Sequence, residues 1–171
     1  MLRGCQFFRA VFDEVGKREY PQIERDYAYI DAFTQWVLRQ PEAYDVCVST
    51  NAFGDIATDL SAVLGGSLGM AVGGNIGDAH AMFEPIHGSA PKHAGKDECN
   101  PMGAILAASM MLEWLGKKNN DAKLTKAGAA IEHAVVSILK EGKTLTYDLG
   151  GKAKCSAVGS EVAKRVRTPR T

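Results

Sequence analysis

Four closely spaced glycines, Gly69, Gly73, Gly74 and Gly77, rule out a helix through the middle of this chain. Each would cost a helix interior roughly 0.5–1 kcal/mol relative to alanine. Residues 67–78 therefore read as strand and turn. On both sides of them apolar residues fall at helical spacing. Phe8, Val11, Phe12 and Val15 mark one helix; a second runs over about 26–39 with Ile30, Phe33 and Val37 inward, and Pro21 and Pro41 punctuate the two. Residues 45–49, rich in β-branched side chains, read as a short strand leading straight into a helix that ends at Gly65-Gly66. Asn100 is a good N-cap and Pro101 suits the first helical position, so a helix is expected over 102–115 with Gly116 as its stop. Another is expected over about 122–141, with Leu124, Ala127, Ile131, Val135, Ile138 and Leu139 inward and Gly142 closing it. A last helix runs from about Ser156 or Ser160 to Val166.

With 171 residues, 46% of them hydrophobic, the chain is long enough for one ordinary soluble domain. Its formal net charge of zero argues against a nucleic-acid partner or an acidic membrane surface. Lys164, Arg165, Arg167 and Arg170 make the tail locally basic, which suits the solvated end of a helix. Cys5, Cys47, Cys99 and Cys155 are far apart, and neither a secretory nor a membrane-length apolar segment occurs. The expectation is a reduced, cytoplasmic setting without a zinc site or disulfide framework.

Asp55 and Asp59 stand four apart in Asn51-Ala52-Phe53-Gly54-Asp55-Ile56-Ala57-Thr58-Asp59-Leu60, so on a helix both carboxylates leave one face. Like charges at that spacing destabilise an isolated helix by roughly 0.2–0.5 kcal/mol. A hard divalent cation would reverse the sign, since Mg²⁺ or Mn²⁺ accepts a few carboxylates and keeps positions for water and a chelating substrate. A solvated helix face bearing two acids is the other reading. His80, His133 and the methionines at 102, 110 and 111 read as structural, and Glu84 is open between a site and a local ion pair.

A second segment narrows the choice: Phe83-Glu84-Pro85-Ile86-His87-Gly88-Ser89-Ala90-Pro91-Lys92-His93-Ala94-Gly95-Lys96, then Asn100-Pro101 opening an apolar helix. Its glycines do not form a G-x-G-x-x-G fingerprint. Small residues there let backbone approach a planar ligand closely, and the segment could equally be a surface turn. Together with residues 51–66, 75–78 and Tyr147-Asp148-Leu149-Gly150-Gly151, it resembles the β-decarboxylating dehydrogenases, the isocitrate/isopropylmalate dehydrogenase family. The resemblance covers almost the whole chain but only the C-terminal half of such an enzyme.

That resemblance implies an α/β, isopropylmalate dehydrogenase-like fold. Residues 1–73 would belong to a small, dimer-forming domain and 74–171 to the return segment of a large cofactor-binding domain. It implies that Asp55 and Asp59, with Asp31 from a second subunit, hold Mg²⁺ or Mn²⁺ against a 2-hydroxy acid. It implies further that His87, Gly88, Ser89, Ala90, Pro91, Lys92, His93, Ala94, Gly95 and Asn100 embrace the adenosine half of a nicotinamide cofactor. Relatives that use NAD typically carry an acid at the Lys92 position. A cation there, with His93 and with Tyr147 matching a tyrosine of NADP-using isocitrate dehydrogenases, points to NADP, with NAD as the alternative. Gly151 stands where those enzymes carry an arginine.

The implied reaction is oxidation of a 2-hydroxy acid and loss of carbon dioxide from the adjacent carbon, with the cation as Lewis acid. Isocitrate is preferred and isopropylmalate is the alternative substrate. The family's proton-transferring lysine and tyrosine and its substrate-gripping arginines lie upstream of the matched region. The chain is therefore expected to be inactive alone and active only beside an N-terminal half, with a homodimer or such a pairing as its expected assembly. A non-catalytic nucleotide-binding or regulatory subunit, or a truncated gene product, are the other expectations.

Overall fold

The computed structural model describes residues 2–168, so Arg170 of the basic tail lies outside the described residues. The chain divides after Ser61 into two compact units. In the first, α1 (Arg3–Glu19) is followed by α2 (Ile30–Arg39) and α3 (Asn51–Ser61). The Arg25 guanidinium ends α1 by donating to the carbonyls of Gly16, Tyr20 and Ile23 at 3.2, 2.9 and 2.9 Å. Gly16 is required there, because a Cβ would sit 2.7 Å from Arg25 Cδ.

The second helix begins four residues later than its apolar spacing suggests. Tyr27 is drawn instead onto α1, edge-on to Phe12 at 6.2 Å, beneath Arg9 and hydrogen-bonded to Asp13. Val37 and Ala57 are the buried apolar residues of α2 and α3. The strand expected at 45–49 is not formed: no strand pairs with it among the described residues, and Val46 is 92% exposed. β-Branched residues report suitability for a pleated surface, whereas a strand also needs a neighbour to bond.

The second unit opens with an antiparallel ribbon of β1 (Val72–Ile76) and β2 (Ala81–Pro85), in register from Val72 opposite Pro85 to Ile76 opposite Ala81. The glycine-bearing stretch thus becomes the strand and turn expected of it, while β2 was not anticipated. The ribbon packs on α4 (Met102–Lys118), which pairs with α5 (Ala122–Glu141) across a short turn, and α6 (Cys155–Arg167) packs on α5. α5 has the bounds read from sequence: Asp121 accepts from the Lys123 amide at one end, and Gly142 takes a left-handed conformation at the other. Its buried face is Gly128, Ala134, Val135 and Ile138, with Leu124, Ala127, Ile131 and Leu139 half buried.

The core gathers Met70, Met102, Ala134, Val135, Ile138, Val158 and Val162. Burying each of the larger aliphatic side chains contributes about 1.5–3 kcal/mol relative to exposure. Met111 departs from its expected core role and is exposed, as is His133.

Gly116 does not stop α4, which runs on through Lys118. It is a contact residue: a Cβ there would meet Thr125 Oγ1 at 2.4 Å, and one on Gly128 would meet Glu113 Cγ at 2.8 Å and the Ser109 carbonyl at 2.9 Å. Ser109 donates to the Gly128 carbonyl at 2.8 Å across the same approach. Gly116→Ala or Gly128→Ala is expected to destabilise the fold by about 1–3 kcal/mol through overpacking. Gly159→Ala, in open space on α6, is expected to stabilise it by about 0.4–1 kcal/mol. Thermal denaturation followed by circular dichroism checks the opposite signs.

Candidate functional site

The segment between β2 and α4 holds its shape by backbone geometry and by anchors at its far end. Ala90 and Asp97 are left-handed at φ 46° and 55°, and Gly95 lies at φ 76°. Pro91–His93 forms a single 3₁₀ turn. Residues 88–92 and 94–96 are exposed and His87 and His93 are half buried, whereas Asn100 is buried. His87 contacts the neighbouring Gly88 carbonyl through Nδ1 at 3.0 Å. A carbonyl only accepts, so that contact places the proton on Nδ1.

His93 is held on two sides. Its Nδ1 lies 2.7 Å from Glu98 Oε1, and its ring stacks on Tyr147 at 6.0 Å and 16°. Tyr147 is 54% exposed, so the stacked pair borders solvent. Lys92 precedes this pair, exposed and without an ion pair among the described residues. The structure therefore brings together His93 and Tyr147, which the resemblance assigned to one cofactor end. Asn100 is turned inward: its Oδ1 accepts from the Met102 amide at 2.9 Å and its Nδ2 donates to Asp148 Oδ2 at 3.0 Å.

Two acids that sequence reasoning left without a role anchor the site. Asp148 accepts from Ser67 Oγ at 2.5 Å, Thr146 Oγ1 at 2.5 Å and Asn100 Nδ2 at 3.0 Å. Burial pushes its carboxyl up, but those three hydrogen bonds outweigh burial and hold it below the ordinary 3.8. Asp97 caps α6 from outside, accepting from the Ser156 amide at 2.8 Å and the Ser156 hydroxyl at 2.6 Å, while its carbonyl accepts from the Cys155 amide. Those Ser156 bonds lower its carboxyl as well. Thr146-x-Asp148 is a short-range polar turn pattern and was the available signal for one of them. Asp97 meets Ser156 only through the tertiary fold.

The three metal candidates present a different picture. Asp55 and Asp59 are exposed one turn apart on α3; among the described residues, Asp55 accepts only from Asn51 Nδ2 at 3.2 Å. Asp59 has no hydrogen-bond or ion-pair partner among the described residues. Asp31 is exposed in the first turn of α2 and accepts from the Ala32 amide at 2.9 Å. Two uncompensated carboxylates on one face suit part of a hard divalent cation's oxygen shell. No set of three ligating side chains that could hold a metal ion forms among the described residues. Burial pushes the Cys47 and Cys155 thiols up, so neither is primed as a nucleophile. No helix is long and apolar enough to cross a membrane among the described residues.

Comparison with known proteins identifies the family. The family model for isocitrate/isopropylmalate dehydrogenase matches residues 1–162. The chain belongs to the isocitrate/isopropylmalate dehydrogenase family. Among curated relatives of this family member, a 3-isopropylmalate/3-methylmalate dehydrogenase from Methanocaldococcus jannaschii is 42% identical over 160 residues, covering 94% of this chain and 45% of the relative. An isocitrate/homoisocitrate dehydrogenase from Thermus thermophilus is 43% identical over 155 residues, covering 91% and 44%. The crystal structure of an isocitrate dehydrogenase from Methylococcus capsulatus superposes with a TM-score of 0.84 at 39% identity, over 94% of this chain and 46% of that one. The fold is thus an α/β dehydrogenase portion, and the chain spans about half the length of the relatives it matches.

The lowered carboxyls give a pH prediction. A carboxyl whose folded value is depressed contributes stability above its unfolded value and loses it as pH falls through the folded one. Acidification below 3.8 should therefore lower the melting temperature through Asp97 and Asp148. Asp97→Asn and Asp148→Asn should each flatten that acid limb when unfolding is followed between about pH 2 and about pH 6.

Proposed function

We propose that this chain supplies the metal- and cofactor-binding part of a metal-dependent, NAD(P)-linked oxidative decarboxylase of a 2-hydroxy acid, with isocitrate and NADP preferred. The observation that carries the reading is the 87–100 loop, where exposed Lys92 adjoins a His93 held between Glu98 and the Tyr147 ring. Lys92 offers a cation to a ribose 2′-phosphate, and the stacked His93–Tyr147 pair offers a planar wall beside it. His87 and the small residues 88–90, 94 and 95 leave backbone accessible to the adenosine. NAD is the alternative cofactor.

In this proposal Asp55 and Asp59 of one subunit and Asp31 of a second hold Mg²⁺ or Mn²⁺, so a homodimer completes the metal site. When bound, the cation supplies Lewis-acid stabilisation of charge developing on the substrate oxygen. The three carboxylates orient it and gain the positive partner that Asp59 otherwise lacks. Residues 1–73 would serve the small, dimer-forming domain and 74–171 the cofactor-binding one, in a cytoplasmic enzyme completed by an N-terminal half. Isopropylmalate is supported equally by the name of the Methanocaldococcus jannaschii relative.

Co-expression with the N-terminal half of a family member should restore metal-dependent reduction of NADP by isocitrate or isopropylmalate. Absence of turnover with every substrate, cofactor and metal combination would remove the proposal. In the active assembly, Asp59→Asn is expected to raise the Mn²⁺ concentration for half-maximal rate by at least about tenfold. Lys92→Asp should lower the ratio of kcat/KM for NADP over NAD by roughly tenfold or more, as initial rates with the two cofactors would read out.

A further inference from the structure

We propose that Asp148 is a positioning residue for the nucleotide: its carboxylate fixes both the exit of the 87–100 loop and the turn that carries Tyr147. The inference rests on the reading of that loop as the adenosine-binding segment, and it adds a residue that acts from behind the site.

Asp148 collects three donors from three separate stretches of chain. Oδ2 accepts from Ser67 at 2.5 Å and Asn100 at 3.0 Å, and Oδ1 from Thr146 at 2.5 Å. None of these donors is a cation, so the network is not an ion pair. Thr146 is wholly buried and Asn100 is 8% exposed, which shields their bonds from competing water. Gly69 makes the room, since a Cβ there would lie 2.8 Å from Asn100 Cβ and 3.0 Å from Asp148 Oδ2.

A carboxylate only accepts, and this restriction orients its neighbours. Asn100 must point Nδ2 at Asp148, which leaves Oδ1 for the Met102 amide. Both ends of that side chain are then occupied internally, which fixes the loop exit from within. On the other side, Asp148 sits inside the 3₁₀ turn Tyr147–Leu149. Its bonds to Thr146 and Ser67 fix the turn, and with it the ring of Tyr147 against His93. One anion thereby sets the spacing of the two walls.

Titration of the full chain with adenosine 2′,5′-bisphosphate and with AMP tests this. Asp148→Asn is nearly isosteric, but its amide nitrogen donates, so it either opposes the Asn100 amide or forces a Ser67 or Thr146 hydroxyl that now donates to turn round and accept. It is expected to weaken the bisphosphate by about tenfold or more and to shift the Asn100 side-chain amide resonances. Gly128→Ala, which destabilises the fold far from the loop in sequence, should leave the affinity of the folded protein unchanged. Should Asp148→Asn fail to fold, Ser67→Ala and Thr146→Val each remove one donor and should weaken binding by a smaller factor.

A folded Asp148→Asn chain, or failing that both donor variants, with wild-type affinity would overturn the inference and leave the loop reading standing. Equal loss of affinity in Gly128→Ala would overturn it too, by reducing the effect to stability. If the unsubstituted chain binds neither nucleotide, the reading of the loop falls and the inference falls with it.

Discussion

The close approach of α4 and α5 is the constraint on which the second unit depends. Gly116 and Gly128 bring the two helices to a separation that no side chain could share, and Ser109 bridges them by donating to the Gly128 carbonyl. α4 is also the surface against which both strands and the 68–70 turn pack. At its start, Gly103 continues the theme: a Cβ would meet the Gly69 carbonyl at 2.9 Å. α4 begins where the 87–100 loop ends, so it is the packing of Gly103 on the Gly69 carbonyl, at the helix start, that places the loop's exit without any long-range charge.

Two pairs of aspartates differ in what surrounds them. Asp97 and Asp148 are saturated by amide and hydroxyl donors, which hold them ionised and immobile. Asp55 and Asp59 are nearly bare, with a single side-chain donor between them among the described residues. An anion already surrounded by donors has little to offer a cation. One left unpaired on a helix face beside another of like sign has a repulsion to relieve, and a divalent ion relieves it.

How legible the molecule was depended on the range of the forces involved. α5 was readable to its end residues because an N-cap, a 3.6-residue period and a C-terminal glycine are all local signals. Gly116 was misread as a stop because its reason lies on Thr125 of the next helix. The run at 45–49 had strand chemistry but no strand neighbour among the described residues, and α2 started late because Tyr27 found Phe12 and Asp13. Within the site, the loop residues and Tyr147 were reachable through family resemblance, and the fold then stacks Tyr147 on His93. Asp97 and Glu98 gained their roles only through contacts that the fold creates. Asn100 was expected as the helix cap; the cap position is Pro101, one residue on, although Asn100 Oδ1 does accept from the Met102 amide while its Nδ2 faces Asp148 and not outward.

Ala90 and Asp97 enclose the cationic part of the loop, and both adopt a left-handed backbone without being glycine. An L-residue in that conformation carries strain that the surrounding structure must over-determine. In return, the unfolded loop has fewer shapes to lose than a glycine-rich one would. The course of the segment is thereby written into its main chain, leaving the side chain at Lys92 free of structural duty. Such a loop can exchange one exposed charge for another without being rebuilt; under the proposed cofactor role, discrimination could drift by single substitutions, while an inserted or deleted residue would ruin the frame.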